Sequence, residues 1–358
     1  MMRRARRSQG GRSQGEAYTD MATVKVPLTV FTLTLSLFAC SQPVASPLGS
    51  PIPSQIATES DTAFSESQEV DALLASPSTD ISGILVFVSD ISGKYRIGTL
   101  DLRSKTISTL TSTSFDADPS LSSDGRRILF ITNRVRNPYY DIYIMNIDGS
   151  DQKPIDSAND LSIRSNFAPV LSPDGQYVVF HSDRDLSGNM DIYVAEISGG
   201  KSKRLTNHPA MDINPSWSPD GRYIVFSSDR DGQYDIYIMD SDGSNLKKLF
   251  NNPEYSDLYP RYSPNGQYIA FTAQFYLGGG DSHIALIRSD GSGYRMVTQG
   301  RGQYQRATWA GNQALVFSGR RSVYDKWQIF ITRIDNFNPI KLTQDEANFY
   351  TPSLLVLK

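Results

Sequence analysis

The feature that most constrains this sequence is a phrase that recurs along the chain. LSPDGQYVVFHSD begins at Leu171, and the similar SWSPDGRYIVFSSD begins at Ser216. One phenylalanine in each copy sets the register, and successive copies are 43 to 50 residues apart: Phe87, Phe130, Phe180, Phe226, Phe271 and Phe317. That period is too long for most helical hairpins and suits four short strands joined by tight turns.

Each copy predicts the same four strands, A to D. A Pro-containing strand A leads through a turn such as Ser218–Gly221 into strand B, which carries the phenylalanine. Strand C follows, as in DIYIM from Asp235, and an Asp-Gly turn leads to a short polar strand D. Strands B and C are apolar on both faces and need cover on both sides, whereas strand D suits an exposed edge. The pattern predicts an all-β protein, a six-bladed β-propeller of four-stranded antiparallel blades over residues 81–358.

The ends of the repeat array predict how the ring closes. The first copy, 82–112, has no strand A before it, and the chain ends in PSLLVLK from Pro352, a strand A without its blade. We therefore expect the C-terminal strand to complete the first blade. A register error in the alignment would make the count seven blades.

Residues 1–40 are predicted to be an N-terminal extension followed by an export signal. The 13 residues Val26–Phe38 are uncharged and largely apolar, which is short for a membrane span and typical of a signal peptide. They lead into LFAC, which resembles a lipobox and predicts lipidation at Cys40. Ser41, which follows the cysteine, favours delivery to the outer membrane by analogy with lipoproteins that lack an aspartate at that position. A plain secretory signal with an incidental cysteine is the alternative, and translation could start at Met1 or Met21.

Residues 41–80 are rich in Ser, Pro and acidic residues and predict a disordered tether spanning roughly 35 Å. This segment has a net charge of −6, residues 1–39 have +4, and the remaining body is near neutral. A near-neutral body argues against nucleic-acid binding. We expect a lipid anchor to be the chain's only membrane attachment, without a transmembrane span in the mature protein.

The repeat, with its P-x-W-S-P-D-G, S-D-R-D-G and D-I-Y-x-M words, resembles that of TolB-type propellers. The resemblance covers about 275 residues, is strongest at 169–250 and is weakest at 300–345. It implies a periplasmic protein whose propeller binds a protein partner, such as a peptidoglycan-linked lipoprotein. TolB proteins carry an α/β domain ahead of the propeller, whereas residues 41–80 cannot form one, so the resemblance is to the propeller half alone.

Catalytic and metal-binding motifs are hard to find in the sequence. The single G-x-S-x-G, at Gly11–Gly15, falls in the N-terminal extension, and His181, His208 and His283 lack Cys or His partners at ligand spacing. Asp229 and Asp231 belong to no complete calcium loop. We expect no cofactor, no metal and no enzyme activity. Two alternatives stay open: a glycan- or peptide-processing enzyme with a site in the central channel, and a glycan-binding propeller without turnover.

An arginine recurs four residues after the phenylalanine, and an aspartate recurs at the start of strand C. The arginines are Arg134, Arg184, Arg230 and Arg321, and the aspartates are Asp141, Asp191 and Asp235. A pair that repeats in each blade predicts a scaffold bridge within the blade's own B–C hairpin. Asp325 is the candidate partner for Arg321.

Departures from the repeat predict the functional site. They cluster in blades five and six, in the B–C and D–A connections that we expect at one end of the ring: Gln274, Phe275, Tyr276, Arg301, Tyr304, Arg306 and Arg320. Exposed aromatic and arginine side chains are common anchors of protein interfaces. We therefore predict a non-enzymatic binding propeller in the cell envelope that engages a protein or cell-wall-linked partner through these residues.

Overall fold

The structure is a computed structural model that describes residues 82–91, 93–112, 115–155, 164–185, 189–275, 280–336, 338–343 and 347–357. The predicted export signal, Cys40 and the predicted tether lie outside the described residues. Within the described ranges, none of the secondary structure is a helix long and apolar enough to cross a membrane.

The described residues form 24 β-strands, which fall into six four-stranded antiparallel units that we call blades one to six. Blade one is built from strands at both ends of the described chain. The strands of blades one to three are β1 (Ser82–Ser89), β2 (Arg96–Asp101), β3 (Thr106–Thr109) and β24 (Phe349–Leu357); β4 (Asp116–Leu121), β5 (Arg127–Thr132), β6 (Asp141–Asn146) and β7 (Lys153–Pro154); and β8 (Asn166–Leu171), β9 (Tyr177–Ser182), β10 (Asp191–Glu196) and β11 (Lys203–Arg204).

Blades four to six follow the same order. A single parallel bridge between Ser282 and Gln303 joins blades five and six into one eight-stranded sheet. Their strands are β12 (Asp212–Trp217), β13 (Tyr223–Ser228), β14 (Asp235–Asp240) and β15 (Lys247–Phe250); β16 (Tyr255–Tyr262), β17 (Tyr268–Phe275), β18 (Ser282–Arg288) and β19 (Arg295–Met296); and β20 (Gln303–Ala310), β21 (Ala314–Arg320), β22 (Gln328–Arg333) and β23 (Ile340–Lys341).

The ring closes through the C-terminal strand, as the sequence predicts. Strand β24 pairs antiparallel with β1 from Ser82 to Ser89. The inner strands β4, β8, β12, β16, β20 and β24 contact one another in this cyclic order, and β24 also contacts β4. The two ends of the array therefore share one sheet, and any loosening of blade one opens the ring.

The register phenylalanines form the centres of the blade interfaces. All six are fully buried, and Phe87, Phe226, Phe271 and Phe317 pack among the Val, Ile, Leu and Ala side chains of their own and the neighbouring blade. Strand B is apolar on both faces because a neighbouring blade covers each of them. Truncating one of these rings would cost about 3–5 kcal/mol, as for other fully buried phenylalanines.

Each inner strand contains a bulge that the sequence analysis missed. The antiparallel register shifts near its middle, at a non-glycine residue with φ between 46° and 57°: Asp118, Ala168, Asn214, Tyr259, Arg306 and Thr351. Proline follows this residue in five blades, and Ala307 follows it in blade six. Proline lacks an N–H and is tolerated at a bulge, where the ladder is interrupted. The bulge residues converge on the ring centre, where five of them line one cavity.

Candidate functional site

Four of the predicted contact residues lie together at one end of the ring. Gln274 and Phe275 end strand β17, and the bridge from Ser282 to Gln303 brings this end of blade five beside the start of blade six. Arg320 donates from Nε to Gln303 Oε1 at 2.7 Å, and exposed Arg301 lies two residues before Gln303. We call this end, where each strand B leads into strand C, the loop face. Tyr276 lies outside the described residues.

Tyr304 is not on the surface, so the expectation of an exposed aromatic there is wrong. Only 4% of the residue is accessible, and its ring packs edge-on against Phe317 and Phe330, with centroids 5.8 and 6.0 Å away. Gly319 makes the space, since a Cβ there would lie 2.5 Å from Tyr304 Cδ1. The sequence contained a signal for this burial, since two positions that pair across strands A and B change together. Blade four has Asp212 and Ser228 where blade six has Tyr304 and Gly319.

Arg306 is also not on the loop face. It is the bulge residue of β20, and its side chain lies in the central channel with 14% of its surface accessible. Nη1 forms an ion pair with Asp118 Oδ1 at 2.8 Å, and Nη2 donates to the Tyr259 hydroxyl at 3.1 Å. The guanidinium also lies 4.2 Å from the Tyr259 ring centroid. Three blades are thus tied together across the channel.

The cavity between the bulge residues is small. A cavity of about 50 Å³ is lined by the bulges of blades one, two, three, five and six, and by Arg261. Arg261 donates from Nη1 to the carbonyl oxygens of Pro260 and Pro215, at 2.9 and 3.3 Å. Burial, with repulsion from Arg306, lowers the pKa of Arg261 to about 10. A space of this size holds one or two water molecules, and a sugar ring would not fit it without rearrangement.

His181 is buried beside the bulge residue Asn214 and is neutral near pH 7. Only 4% of it is accessible, its Nδ1 accepts the Asn214 backbone N–H at 3.4 Å, and burial lowers its pKa to about 3. Its ring stacks on Phe167 at 5.5 Å. The described residues contain no cluster of three or more His, Cys, Asp or Glu side chains that could hold a metal ion.

Large apolar side chains are exposed mainly on the loop face. Of the seven that are exposed among the described residues, five lie in B–C segments of blades one, two, five and six: Ile91, Val135, Phe275, Val323 and Tyr324. Tyr324 is 94% accessible and Phe275 is 39% accessible. The other two, Ile107 and Tyr177, lie on an outer strand and beside an A–B turn. Of these residues, the sequence analysis selected only Phe275.

The recurring arginine does not bridge to the strand C aspartate, so the predicted hairpin pair is wrong. Arg230 reaches back 18 residues to Asp212 at the start of the inner strand, at 2.8 Å. On the way its guanidinium lies 4.7 Å from the Tyr237 ring centroid. Arg134 pairs with Asp116 in the same way, and Arg184 donates to Asn166. The long side chain follows the aromatic rings of strands B and C inward, which sequence spacing does not reveal.

The strand C aspartates instead have cationic partners from other parts of their own blades. Asp191 pairs with Arg204 and Asp235 with Lys248, both on strand D, at 2.5 and 2.8 Å. Asp141 pairs with Arg136 in the B–C segment. Each of blades two to four therefore contains two pairs. In one, the recurring arginine contacts an acceptor on the inner strand, and in the other, the strand C aspartate contacts a cation of its own blade.

Blade five keeps one acid of this arrangement without its arginine. Phe275 occupies the arginine position, and Ala285 replaces the strand C tyrosine. Asp257, the counterpart of Asp212, is fully buried, and neither of its carboxylate oxygens has a hydrogen-bond partner among the described residues. Burial, followed by repulsion from Asp235, raises the pKa of Asp257 to about 9. Asp257 is therefore protonated at pH 7.

Comparison with known proteins identifies the family to which this fold belongs. The model of the TolB beta propeller domain family matches residues 162–354, more than half of the chain. TolB from Acinetobacter baumannii superposes with a TM-score of 0.63 and 20% identity, over 77% of this chain and 67% of the other. A putative TolB from Agrobacterium tumefaciens gives 0.58 and 20%, over 77% and 98%.

A lyase is similar in fold as well. Oligogalacturonate lyase from Vibrio parahaemolyticus superposes with a TM-score of 0.54 and 16% identity, over 74% of this chain and 75% of the other. In sequence, no curated protein matches the chain. At these identities the structural matches establish the fold and leave the activity open.

Proposed function

The chain belongs to the TolB β-propeller family, and from this premise we propose that it is a non-enzymatic binding propeller of the bacterial cell envelope. It is held on the periplasmic side of the envelope by a lipid on Cys40, and Ser41 after the cysteine favours the outer membrane. It engages a protein or a cell-wall-linked partner through the loop face.

The observation that carries this proposal is the distribution of exposed apolar side chains. Five of the seven in the described residues lie in B–C segments, at the same end of the ring as Arg301 and Arg320. Clustered exposed aromatic and aliphatic groups beside arginines are typical of protein-binding surfaces. The opposite end carries Ser-Asp and Asp-Gly turns, where serine hydroxyls donate to Asp174 and Asp220 and keep their pKa values low. Among the described residues, most of the exposed large apolar side chains thus lie at the end of the ring that carries Arg301 and Arg320.

The channel supports binding over catalysis. Arg306, Asp118 and Tyr259 bond to one another across it, and His181 is a buried acceptor. A general acid or base must reach a substrate proton, and the 50 Å³ cavity admits no substrate beside these groups.

The alternative is a glycan- or peptide-processing enzyme, or a glycan-binding propeller without turnover, with its site in the channel. The fold of the oligogalacturonate lyase supports this alternative. So do Arg261 and Arg306, which line the channel cavity, and the buried His181, whose pKa is affected by Asp118 and Arg306. Incubation with oligogalacturonates and with peptidoglycan fragments, followed by mass spectrometry, would detect new products if the alternative holds.

A crosslinking pull-down from envelope extract tests the proposed function. The bait is the full chain, compared with the variant Phe275→Ser/Tyr324→Ser, and Tyr177→Ser is the matched control because Tyr177 is exposed at the opposite end. We expect a specific protein or peptidoglycan fraction that the wild type and the control retain and the double variant loses. Equal capture by all three proteins would contradict a site on the loop face.

The anchor is tested separately. Metabolic labelling with a fatty-acid analogue should mark the wild type and not Cys40→Ala, and the variant should leave the membrane fraction. Absence of label on the wild type, with identical fractionation of both proteins, would contradict lipidation without bearing on the loop face.

A further inference from the structure

The channel cavity contains one cation without an anionic partner. Two arginines and one aspartate line it, and the aspartate is already paired, with Asp118 Oδ1 at 2.8 Å from Arg306 Nη1. Arg261 forms no ion pair within the described residues, and its hydrogen bonds run from Nη1 to the carbonyl oxygens of two prolines. Its pKa is lowered only to about 10, so Arg261 is charged at pH 7. The residues that line the cavity therefore carry one excess positive charge.

Hydrogen-bond donors without an acceptor surround the same cavity. The Nε and Nη2 groups of Arg261 donate to no atom among the described residues. The Tyr259 hydroxyl accepts from Arg306 Nη2 and retains its own proton for donation, because burial raises the pKa of Tyr259. Thr351, which also lines the cavity, has a buried hydroxyl without a partner among the described residues. Buried polar groups are normally satisfied, so this set of donors predicts an acceptor in the cavity.

The size and the charge of the cavity select the class of ligand. A volume of about 50 Å³ holds one or two water molecules, or one ion that is not much larger than water. One monovalent anion balances the single excess charge, whereas a phosphate group is bulkier and carries up to two negative charges. A calcium ion would need six to eight oxygen ligands, and Asp118 is the only carboxylate among the residues that line the cavity.

An anion satisfies this cavity better than water does. Water would accept the spare N–H bonds of Arg261 but would leave its charge without a counter-ion. Repulsion from Arg306 contributes to the lowered pKa of Arg261, and an anion beside the two guanidinium groups would offset that repulsion. Prolines and alanines form much of the lining, and charges attract each other more strongly in such surroundings than in bulk water.

We propose that the channel cavity binds a chloride ion, held by the Arg261 guanidinium and the Tyr259 hydroxyl. Arg306 stays paired with Asp118 and adds its positive charge to the site. The ion would lie where the bulges of five inner strands meet, so its binding should stabilise the closed ring. This proposal does not depend on the loop face or on a protein partner.

Thermal unfolding of the full chain tests the site, with sodium chloride compared with sodium gluconate at equal ionic strength. Gluconate is too large for a cavity of about 50 Å³. We expect Tm to rise saturably, by about 2–4 °C at a chloride concentration ten times Kd, because chloride binds the folded state alone. Arg261→Met should abolish this rise, and the control Arg126→Met, at an exposed arginine of blade two, should retain it. The absence of a chloride-specific rise in the wild type, or an equal rise in folded Arg261→Met, would overturn the proposal.

A second variant should tighten chloride binding, and it tests the site even if Arg261→Met does not fold. Asp118→Asn removes the carboxylate that repels an anion and releases Arg306 from its ion pair. We expect the rise in Tm to saturate at about one tenth of the chloride concentration that the wild type needs, or less. Unchanged or weaker chloride dependence in folded Asp118→Asn would count against the site. Stabilisation of the wild type by calcium chloride beyond that of sodium chloride at equal chloride concentration would indicate a cation site and overturn the proposal.

Diffraction from crystals soaked in sodium bromide would locate the ion, since bromide replaces chloride and has an anomalous signal. We expect a bromide peak in the channel cavity within hydrogen-bonding distance of Arg261 and Tyr259. Bromide confined to the protein surface, with water alone in the cavity, would show an adventitious ion only and would overturn the proposal.

Discussion

Blades two to four and blades five and six share one backbone plan and differ in how they balance buried charge. In blade four, Asp212 and Asp235 each have a cation. Blade five retains the buried acid Asp257 without an arginine, and blade six retains Arg321 and Lys341 without the acids. The same strands form in all five blades, so the ion pairs are not what makes the fold. Where they break, blade five buries an acid whose oxygens have no hydrogen-bond partner among the described residues, and blade six has Tyr304 and Gln328 in place of the acids.

The largest expected effect comes from converting a regular blade into a copy of blade five. Arg230→Phe leaves Asp212 buried without its cation, and removing one partner of a buried pair costs about 3–5 kcal/mol. Urea unfolding should show this loss, and adding Asp212→Asn should recover part of it. A loss below about 1 kcal/mol would mean that the pair does not stabilise the regular blade.

Removing the buried acid of blade five should stabilise the protein. Asp257→Asn removes a carboxyl whose pKa burial raises from 3.8 to about 9. Because folding raises this pKa, the protonated carboxyl makes its full contribution to the free energy of unfolding below pH 3.8. That contribution is lost as the pH rises toward 9, by at most about 1.4 kcal/mol per pH unit. At pH 8 we expect the variant to gain about 2–3 kcal/mol over the wild type.

The pH dependence provides the control for this prediction. Thermal unfolding from pH 4 to pH 9 should show a shallower decline for Asp257→Asn than for the wild type. Asp151→Asn, at an exposed acid of blade two, should follow the wild-type curve. Parallel curves for all three proteins would contradict the raised pKa.

A smaller effect is expected from the packing that replaced the ion pair in blade six. Gly319→Ala places a Cβ 2.5 Å from Tyr304 Cδ1, and such overpacking costs about 1–3 kcal/mol. The double variant Gly319→Ala/Tyr304→Leu should lose less stability than the two single losses combined. Strict additivity in chemical unfolding would show that Gly319 and Tyr304 are not coupled.

The smallest effect is expected from returning an arginine to blade five. Phe275→Arg brings a cation to the position from which Arg230 reaches Asp212, but Ala285 replaces the tyrosine on which that arginine rests. We expect a gain of about 1 kcal/mol at pH 8 and a lower pKa for Asp257. If the gain were unchanged in the Asp257→Asn background, the arginine would not be acting through Asp257.

Much of the fold could be predicted because it depends on local patterns repeated many times. The phenylalanine spacing, the Pro and Gly turns and the strand A at Pro352 lead to the four-stranded blades and to the pairing of β24 with β1. The candidate site was predicted less well. Gln274, Phe275, Arg301 and Arg320 lie at one end of the ring, while Tyr304 and Arg306 belong to the core and the channel.

The sequence by itself determined the strand order, the turns and the positions where the repeat changes, because each follows from residue type and spacing along the chain. Only the tertiary structure decided the partners of the charged residues. Arg230 binds Asp212 18 residues away, and Arg306 binds Asp118 188 residues away. The inner-strand bulges place Arg306 and Asp118 at the channel, and ring closure brings their distant blades within hydrogen-bonding distance. Partners set by closure of the whole ring leave no trace in local spacing.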